Sequence, residues 1–389
     1  MNNWIKIIDL LAPNIMTPCY IYNTNSIFDN LQYLKNAFNN IPIKYWLSFK
    51  THPLRKLIDQ WYYSENGIEV VSEYELLAAL STGFKPNRIL VNGPAKHNWL
   101  YKYTLKNLNV NFDSINEISY LLQQARNQNW VIGLRVKTSA ECDVDDQLYG
   151  GQFGLSSDEI NEANIKITDF GLRVDTIHFH LGSDIIDENL FQKALDEIAI
   201  ICTNYNVSPL FIDCGGGLPS LSRCNSFNYH NYYKIIANIF RIFPSAKEIW
   251  LENGRFLTSN TTILLIKILD IKDRPECRYY ICDGGRTNHA LVSDWEKHNI
   301  GWYPNKTGAY KFSTICGPTC MHFDRLDRLN LPTSLSIGDF FIWYDAGAYH
   351  IPWETRFSNG LVDIISINNH DNIETLRIRE DFHSWWRQH

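Results

Sequence analysis

The strongest constraint on the fold of this chain is an alternation. Eight short runs rich in β-branched and aromatic residues occur at 43–50, 68–71, 88–92, 110–113, 131–136, 176–180, 210–214 and 248–252, and each ends in polar or glycine-rich residues. Helix-like segments lie between them, such as 73–82 and 188–205. In the second of these, Leu190/Phe191, Ala194/Leu195, Ile198 and Ile201/Cys202 recur at helical spacing, with Asp187 as the expected N-cap. Strand–helix alternation repeated eight times predicts a (β/α)8 TIM barrel. An open doubly wound sheet is disfavoured because no GxGxxG turn follows the first strand.

The pattern changes after residue 260. Runs at 261–271, 279–283, 312–316, 339–344, 361–367 and 373–379 are strand-like with little helix between them, and 19–22 is of the same kind. The predicted organisation is a barrel over 26–260 and a β-sheet domain built from 1–25 and 261–389. The 389 residues suffice for both, since a barrel takes about 250. Trp385 and Trp386 near the end of the sequence are expected to pack on the β domain or to lead into a further one.

The net charge of -6, without a basic run, argues against nucleic acid polymers and anionic membranes as partners. The first residues lack the charged and apolar regions of a signal peptide, and the longest apolar run, 263–271, is too short to span a bilayer. Nine scattered cysteines form no CxxC pair, and no His or Cys cluster completes a zinc site around Cys316 and Cys320. A reduced, cytoplasmic protein is expected.

In a barrel of this kind, chemistry sits at the C-terminal ends of the strands. Lys50 closes the first run. Desolvation there favours a neutral amine, the form that condenses with an aldehyde; the bland alternative is a snorkelling surface lysine. His180 and Ser183 close the sixth run, and the histidine is a candidate ligand, base or stacking ring, or else an ordinary hydrogen-bonded core residue. Gly215, Gly216 and Gly217 follow the seventh run, where barrels commonly bind phosphate; the alternative is a tight turn. Glu252 and Arg255 close the eighth. They suit a pyridine nitrogen and a phosphate, or form a structural pair.

Taken in order, the segments LSFKTHP, GIEVVSEYE, HFHLGS, DCGGG, ENGR, CDGG, GPTC and GDFFIWYDAGAY resemble the fold-type-III pyridoxal-phosphate decarboxylases, the ornithine, diaminopimelate and arginine group, over about residues 19–359. The resemblance implies an alanine-racemase-like barrel with a C-terminal all-β domain, and pyridoxal 5'-phosphate as cofactor. It implies that Lys50 holds the cofactor, that His180 stacks on its ring and that Glu252 pairs with its nitrogen. Ser183, Gly215, Gly216, Gly217, Arg255 and Tyr349 match phosphate-binding positions, and Glu69 an acid near the lysine. Cys320 matches a catalytic cysteine supplied by the partner of a homodimer. Asp283, Met321 and Asp324 fall in the substrate region.

The sequence also departs from that family. Thr51-His52 follow the lysine, Asn253 replaces a common proline, and Met321 stands after Cys320 where an acid usually binds a distal amine. The polar and basic stretch 286–295 is richer than a diamine site needs. These departures favour a modified or conjugated substrate: a carrier-bound amino acid, a siderophore intermediate, or the aminocarboxypropyl group of a peptide–nucleotide, as in microcin C-type antibiotic biosynthesis. Alternatives are a decarboxylase of free diaminopimelate or ornithine (with Asp283 or Asp324 replacing the missing acid), a pyridoxal-phosphate racemase, and an inactive binding protein on the same fold. A metal-dependent barrel using His178, His180 and Asp213 is a further rival, for which no third ligand motif is evident; no metal is expected.

Overall fold

The structure, a computed structural model, describes residues 2–143, 151–222, 227–289, 296–368 and 370–388. Two compact units emerge, Asn30–Leu257 and the combination of Met1–Asp29 with Thr258–His389. Strand β1 (Cys19–Asn23) belongs to the second unit. The first is a closed barrel of eight parallel strands: β2 (Ile43–Ser48), β3 (Gly67–Val70), β4 (Ile89–Val91), β5 (Asn109–Phe112), β6 (Val131–Arg135), β7 (Thr176–His178), β8 (Phe211–Asp213) and β9 (Glu248–Leu251). The ring closes through β2 against β9, with Ile43, Lys44 and Tyr45 opposite Ile249, Trp250 and Leu251. The (β/α)8 expectation is met. The strands are almost wholly buried, as parallel strands covered by helices must be.

Local signals set the helices that cover the barrel. Ser72, Ser114 and Ser156 each cap a helix by accepting an amide three residues on, and Ser156 with Glu159 forms a complete capping box. The expected N-cap Asp187 is displaced by one: the helix is Asn189–Asn204 and its N-cap is Glu188. Asp187 instead accepts the Asn189 amide at 3.0 Å, a turn-type bond that competes for the same donor.

The second unit holds a nine-stranded sheet. Its main path runs β14–β13–β11–β10–β1–β16–β17, over β10 (Thr262–Asp273), β11 (Arg278–Cys282), β13 (Tyr310–Cys316), β14 (Arg325–Pro332), β16 (Asp363–Ile367) and β17 (Ile373–Arg377). β12 (Ile300–Tyr303) and β15 (Phe340–Trp343) branch from β10. The N-terminal helix Asn2–Leu11 had no sequence assignment. It lays Ile7, Ile8 and Leu11 on Ile21, Ile263 and Ile342 of this sheet. Trp385 donates its indole N–H to the Arg356 carbonyl at 3.1 Å, whereas Trp386 stays exposed. Among the described residues, no helix is long and apolar enough to cross a membrane.

Candidate functional site

The barrel unit gathers its polar residues at the C-terminal strand ends. Lys50 lies in the single turn Phe49–Thr51 that ends β2, a turn held by Thr51 Oγ1 donating to the Ser48 carbonyl at 2.8 Å. Ser48 in turn donates to the Glu252 carbonyl at 3.2 Å, which ties the lysine's strand end to that of β9. Lys50 Nζ is 2.7 Å from Glu69 Oε2; the lysine side chain is 37% exposed and the glutamate 1%. One carboxylate therefore steers an amine that solvent can still reach.

A hydrogen-bond chain runs inward from this pair. Asn92 Nδ2 donates to Glu252 Oε1 at 2.5 Å and contacts Glu69 Oε1 at 3.3 Å. Asn111 Nδ2 bridges Asn92 Oδ1 and Asp213 Oδ2, each at 3.0 Å. Glu252 and Asp213 are both buried, and His178 Nε2 lies 3.6 Å from Glu252. Burial, with the charge of Asp213 second, drives Glu252 well above the usual carboxylate range. Burial also pushes Asp213 up to about 7. The pair holds a proton in common at neutral pH, because two carboxylates cannot both ionise out of water. Burial keeps His178 uncharged, well below the usual imidazole range.

The glycine run shapes a second part of the site. Gly215 has φ +62, and a Cβ there would lie 2.5 Å from the Phe179 carbonyl and 2.8 Å from His180 Nδ1. A Cβ on Gly216 would lie 2.5 Å from the Glu252 carbonyl. The turn thus threads between the ends of β7 and β9. Gly216 N–H donates to His180 Nδ1 at 3.2 Å, so the ring carries its proton on Nε2 and its plane is fixed. Burial pulls His180 down to about 3, so the ring is neutral. Ser183 Oγ accepts from Arg255 Nε and Nη2 at 3.1 and 3.0 Å.

Of the groups proposed from sequence, Lys50, Glu69, His180, Ser183, Gly215, Gly216, Gly217, Glu252 and Arg255 all lie in the barrel unit. For the metal rival, His178 and Asp213 do approach each other, with Glu252 as the third member in place of His180. Asn92 and Asn111 were not among the residues singled out from sequence; their only signal was a polar side chain in or at the end of an apolar run.

Asp283, Cys320, Met321, Asp324 and Tyr349 belong to the second unit. Cys320 is exposed. Tyr349 sits at φ +66, a left-handed conformation that a bulky residue adopts only when its surroundings impose it. Both acids are committed to their own fold. Asp283 accepts from Thr17 Oγ1 at 2.6 Å and Lys267 N at 2.8 Å. Asp324 accepts from Arg286 N at 2.7 Å and from Thr319 N and Oγ1 at 3.0 and 2.6 Å. Asp324 also lines a cavity of about 470 Å³, together with Met321, Arg286, Phe323 and Trp353. Of the stretch 286–295, residues 290–295 lie outside the described residues; Arg286–His289 is a short helix.

Comparison with known proteins gives these arrangements a context. Residues 24–259 match the family described as pyridoxal-dependent decarboxylase, pyridoxal binding domain. The chain is 25% identical over 370 residues to a diaminopimelate decarboxylase of Staphylococcus aureus (strain COL), covering 90% of this chain and 87% of the relative. It is also 25% identical over 357 residues to the 2-[(L-alanin-3-ylcarbamoyl)methyl]-2-hydroxybutanedioate decarboxylase of Staphylococcus aureus (strain NCTC 8325 / PS 47), covering 85% and 88%. The crystal structure of diaminopimelate decarboxylase from Helicobacter pylori complexed with L-lysine superposes with a TM-score of 0.85 at 23% identity, covering 98% of both chains.

Proposed function

Since the chain belongs to the pyridoxal-dependent decarboxylase family, we propose that it removes the α-carboxylate of a free amino acid whose far end carries a second carboxylate, of the diaminopimelate type. The protein is a pyridoxal-phosphate-dependent carboxy-lyase. The barrel's groups fit that cofactor. A reachable amine, a neutral ring of fixed plane, an Arg–Ser pair beside a glycine turn, and a buried acid that retains its proton are the four things an aldehyde, a pyridine ring, a phosphate and a ring nitrogen need.

When bound, pyridoxal phosphate supplies the electron sink for the bond to the departing carboxylate. The protein's residues do the rest. Lys50 anchors the aldehyde end and Glu69 orients its Nζ. Glu252, raised by burial and by the charge of Asp213, would hold a proton against the ring nitrogen, and Asn92 fixes its orientation. His180 would stack on the ring, its own plane fixed by the Gly216 amide. Ser183, Arg255 and the Gly215–Gly216–Gly217 turn would hold the phosphate; Tyr349 is assigned to it by the sequence resemblance alone. Cys320 of the partner subunit in a homodimer returns a proton to the α-carbon after carbon dioxide leaves.

The observation that carries the substrate class is the state of the two acids. Asp283 and Asp324 already accept from Thr17, Lys267, Thr319 and Arg286, so the far carboxylate of such a substrate, rather than its ammonium group, is the proposed handle. Met321 and Arg286 line one cavity with Asp324, and a guanidinium pairs with a carboxylate. A second reading, a conjugated natural-product substrate such as a siderophore intermediate, a carrier-bound amino acid or a peptide–nucleotide, is favoured by the same cavity and by the relative that acts on a carboxylate-rich amide.

The test is a spectrum of the purified protein before and after borohydride, with mass mapping of the trapped adduct, followed by carbon dioxide release from meso-diaminopimelate, lysine, ornithine and carboxylate-tipped amides of diaminopropionate. Trapping on Lys50 with release from diaminopimelate supports the first reading. Release only from the amides supports the second. Turnover of lysine or ornithine at least as fast as of any carboxylate-tipped substrate would overturn both. An inverted α-carbon without carbon dioxide would indicate a racemase, and a colourless, silent protein a binding role.

A further inference from the structure

Strand β14 lies at one end of the main path of its sheet, and its first four residues include Arg325, Asp327 and Arg328. In a regular strand, Arg325 and Arg328, three positions apart, would point to opposite faces. The register prevents this. Thr314, Ile315 and Cys316 of β13 stand opposite Arg328, Asp327 and Arg325, so Leu326 is the extra residue of a bulge. Thr314 and Cys316 share one face of β13, and cross-strand partners share a face as well. Both arginines therefore stand on that face together. Burial raises the Cys316 thiol, and the charges of Arg325 and Arg328 pull it back.

The two arginines line a cavity of about 430 Å³ whose wall also holds Arg286, His322 and Phe323. The Arg286 guanidinium carbon is 6.0 Å from the centre of the Phe323 ring, and the His322 ring is 5.7 Å from it. Asp327 is the only acid among these lining residues. It pairs with Ile315, on the opposite face of the strand, and its carboxylate accepts the Arg328 amide at 2.6 Å. Among the described residues, neither the Arg325 nor the Arg328 side chain has an ion-pair partner. Charges that only guard a sheet edge need neither a common face nor a cavity. Guanidinium groups gathered around one open cavity, in a chain of net charge -6, make a local field that attracts an anion.

We propose that Arg325 and Arg328 bind a multiply charged oxyanion, a phosphate or a pair of neighbouring carboxylates. Each guanidinium offers a planar fork of donors that matches two oxygens of such a group, and His322 adds a ring N–H. A single carboxylate engages one fork and leaves the other unused, so the site favours ligands with two or more charges close together. The cavity adjoins the one that holds Met321, because Arg286 and Phe323 line both. A substrate of the diaminopimelate type places its one far carboxylate at Arg286. The oxyanion of this second cavity is thus a group beyond the amino-acid substrate, and its site does not depend on the decarboxylase reading.

The experiment is calorimetric titration of the cofactor-loaded full chain with inorganic pyrophosphate, citrate and acetate, with the cofactor's absorbance followed in parallel. The expected result is about one site per chain for at least one of the two polyanions, with Kd below about 1 mM at low salt, and no binding of acetate in that range. Preference for pyrophosphate assigns the site to a phosphate-bearing ligand, and preference for citrate to a polycarboxylate. Physiological salt should weaken the binding, as it does for exposed charges. Arg325→Gln combined with Arg328→Gln should weaken it at least about tenfold. Arg55→Gln combined with Arg241→Gln removes the same charge from exposed positions of the barrel unit and should shift Kd less than about twofold. The wild-type titration stands even if a variant fails to fold. Wild-type protein that binds neither polyanion up to about 10 mM would overturn the proposal. Equal losses in the two double variants would overturn it too, as would cofactor absorbance that disappears in step with binding, which would put the anion in the barrel's glycine turn. Because the titration needs no turnover, a protein that binds the polyanion yet releases no carbon dioxide keeps this site and loses the decarboxylase reading.

Discussion

Lys50 and Cys320 illustrate two kinds of residue that sequence and geometry treat differently. Lys50 is held by one carboxylate at 2.7 Å and still reaches solvent, as an amine must that is to be exchanged during turnover. Lys50→Ala is expected to lower turnover by about three orders of magnitude or more and to remove the cofactor's visible band, checked by absorbance and carbon dioxide release. Retention of either would remove Lys50 from its role. Cys320→Ala should keep the band while turnover falls roughly 10²–10⁴-fold, the range for losing a positioned proton donor. Met321→Glu is expected to improve lysine or ornithine about tenfold relative to diaminopimelate, because a new carboxylate in the cavity repels the far carboxylate that only diaminopimelate carries; the readout is the ratio of kcat/KM values. The sequence made these positions legible because a barrel confines chemistry to strand ends, and the run of motifs singled out Lys50, His180 and Glu252. It could not reveal that Asp283 and Asp324 are spent on Thr17, Lys267 and Thr319. Those bonds depend on which distant backbone amides the fold delivers. Asn92 and Asn111 were hidden for the same reason: an asparagine in or just after a barrel strand acquires meaning only from the carboxylates opposite it.

The turn after β8 and the acids at the ends of β8 and β9 act as elements rather than as single groups. Gly215→Ala forces a side chain into a left-handed position and against the Phe179 carbonyl and His180, so it is expected to cost about 2–4 kcal/mol and to loosen the cofactor, measured by urea unfolding and by cofactor titration. Asp213 carries a pH signature. Burial raises it to about 7, so the folded cofactor-free protein binds more protons than the unfolded chain. Stability from this group is fully present below its ordinary pKa and is lost as pH rises through about 7. Cofactor-free protein should therefore melt at a lower temperature at pH 8 than at pH 5.5, and Asp213→Asn should flatten that slope by about 1–3 kcal/mol, read by calorimetry. An unchanged slope would place the shared proton elsewhere. Among elements, the barrel strands were legible to within about two residues because apolar runs and helical periods alternate so plainly. β14 was missed because Arg325, Asp327 and Arg328 dilute its β signal on a half-exposed strand, and β12 because none of its four residues is fully buried. The N-terminal helix is a short amphipathic cover whose apolar face had no visible partner until the sheet was formed.

At the scale of the molecule, the question is how groups divided between two units act on one substrate. Lys50, His180 and Glu252 belong to Asn30–Leu257, whereas Cys320 and Met321 belong to the other unit. The proposed homodimer makes a definite prediction, because each site would take its barrel from one subunit and its cysteine from the other. Lys50→Ala and Cys320→Ala proteins, each nearly inactive alone, are unfolded together in equal amounts and refolded. Random pairing makes about half the dimers mixed. In a shared-site arrangement, one of the two sites in a mixed dimer carries both lesions and the other carries neither. Activity should then return to about a quarter of wild type. If each chain instead built its site from its own two units, every site in a mixed dimer would keep one lesion, and activity would stay at the level of the separate variants. Refolded wild type provides the reference for losses during the exchange. A quarter recovered would establish that Cys320 works across the dimer; none recovered, with mixed dimers shown by mass spectrometry to have formed, would return the cysteine to its own chain's barrel or remove it from the reaction.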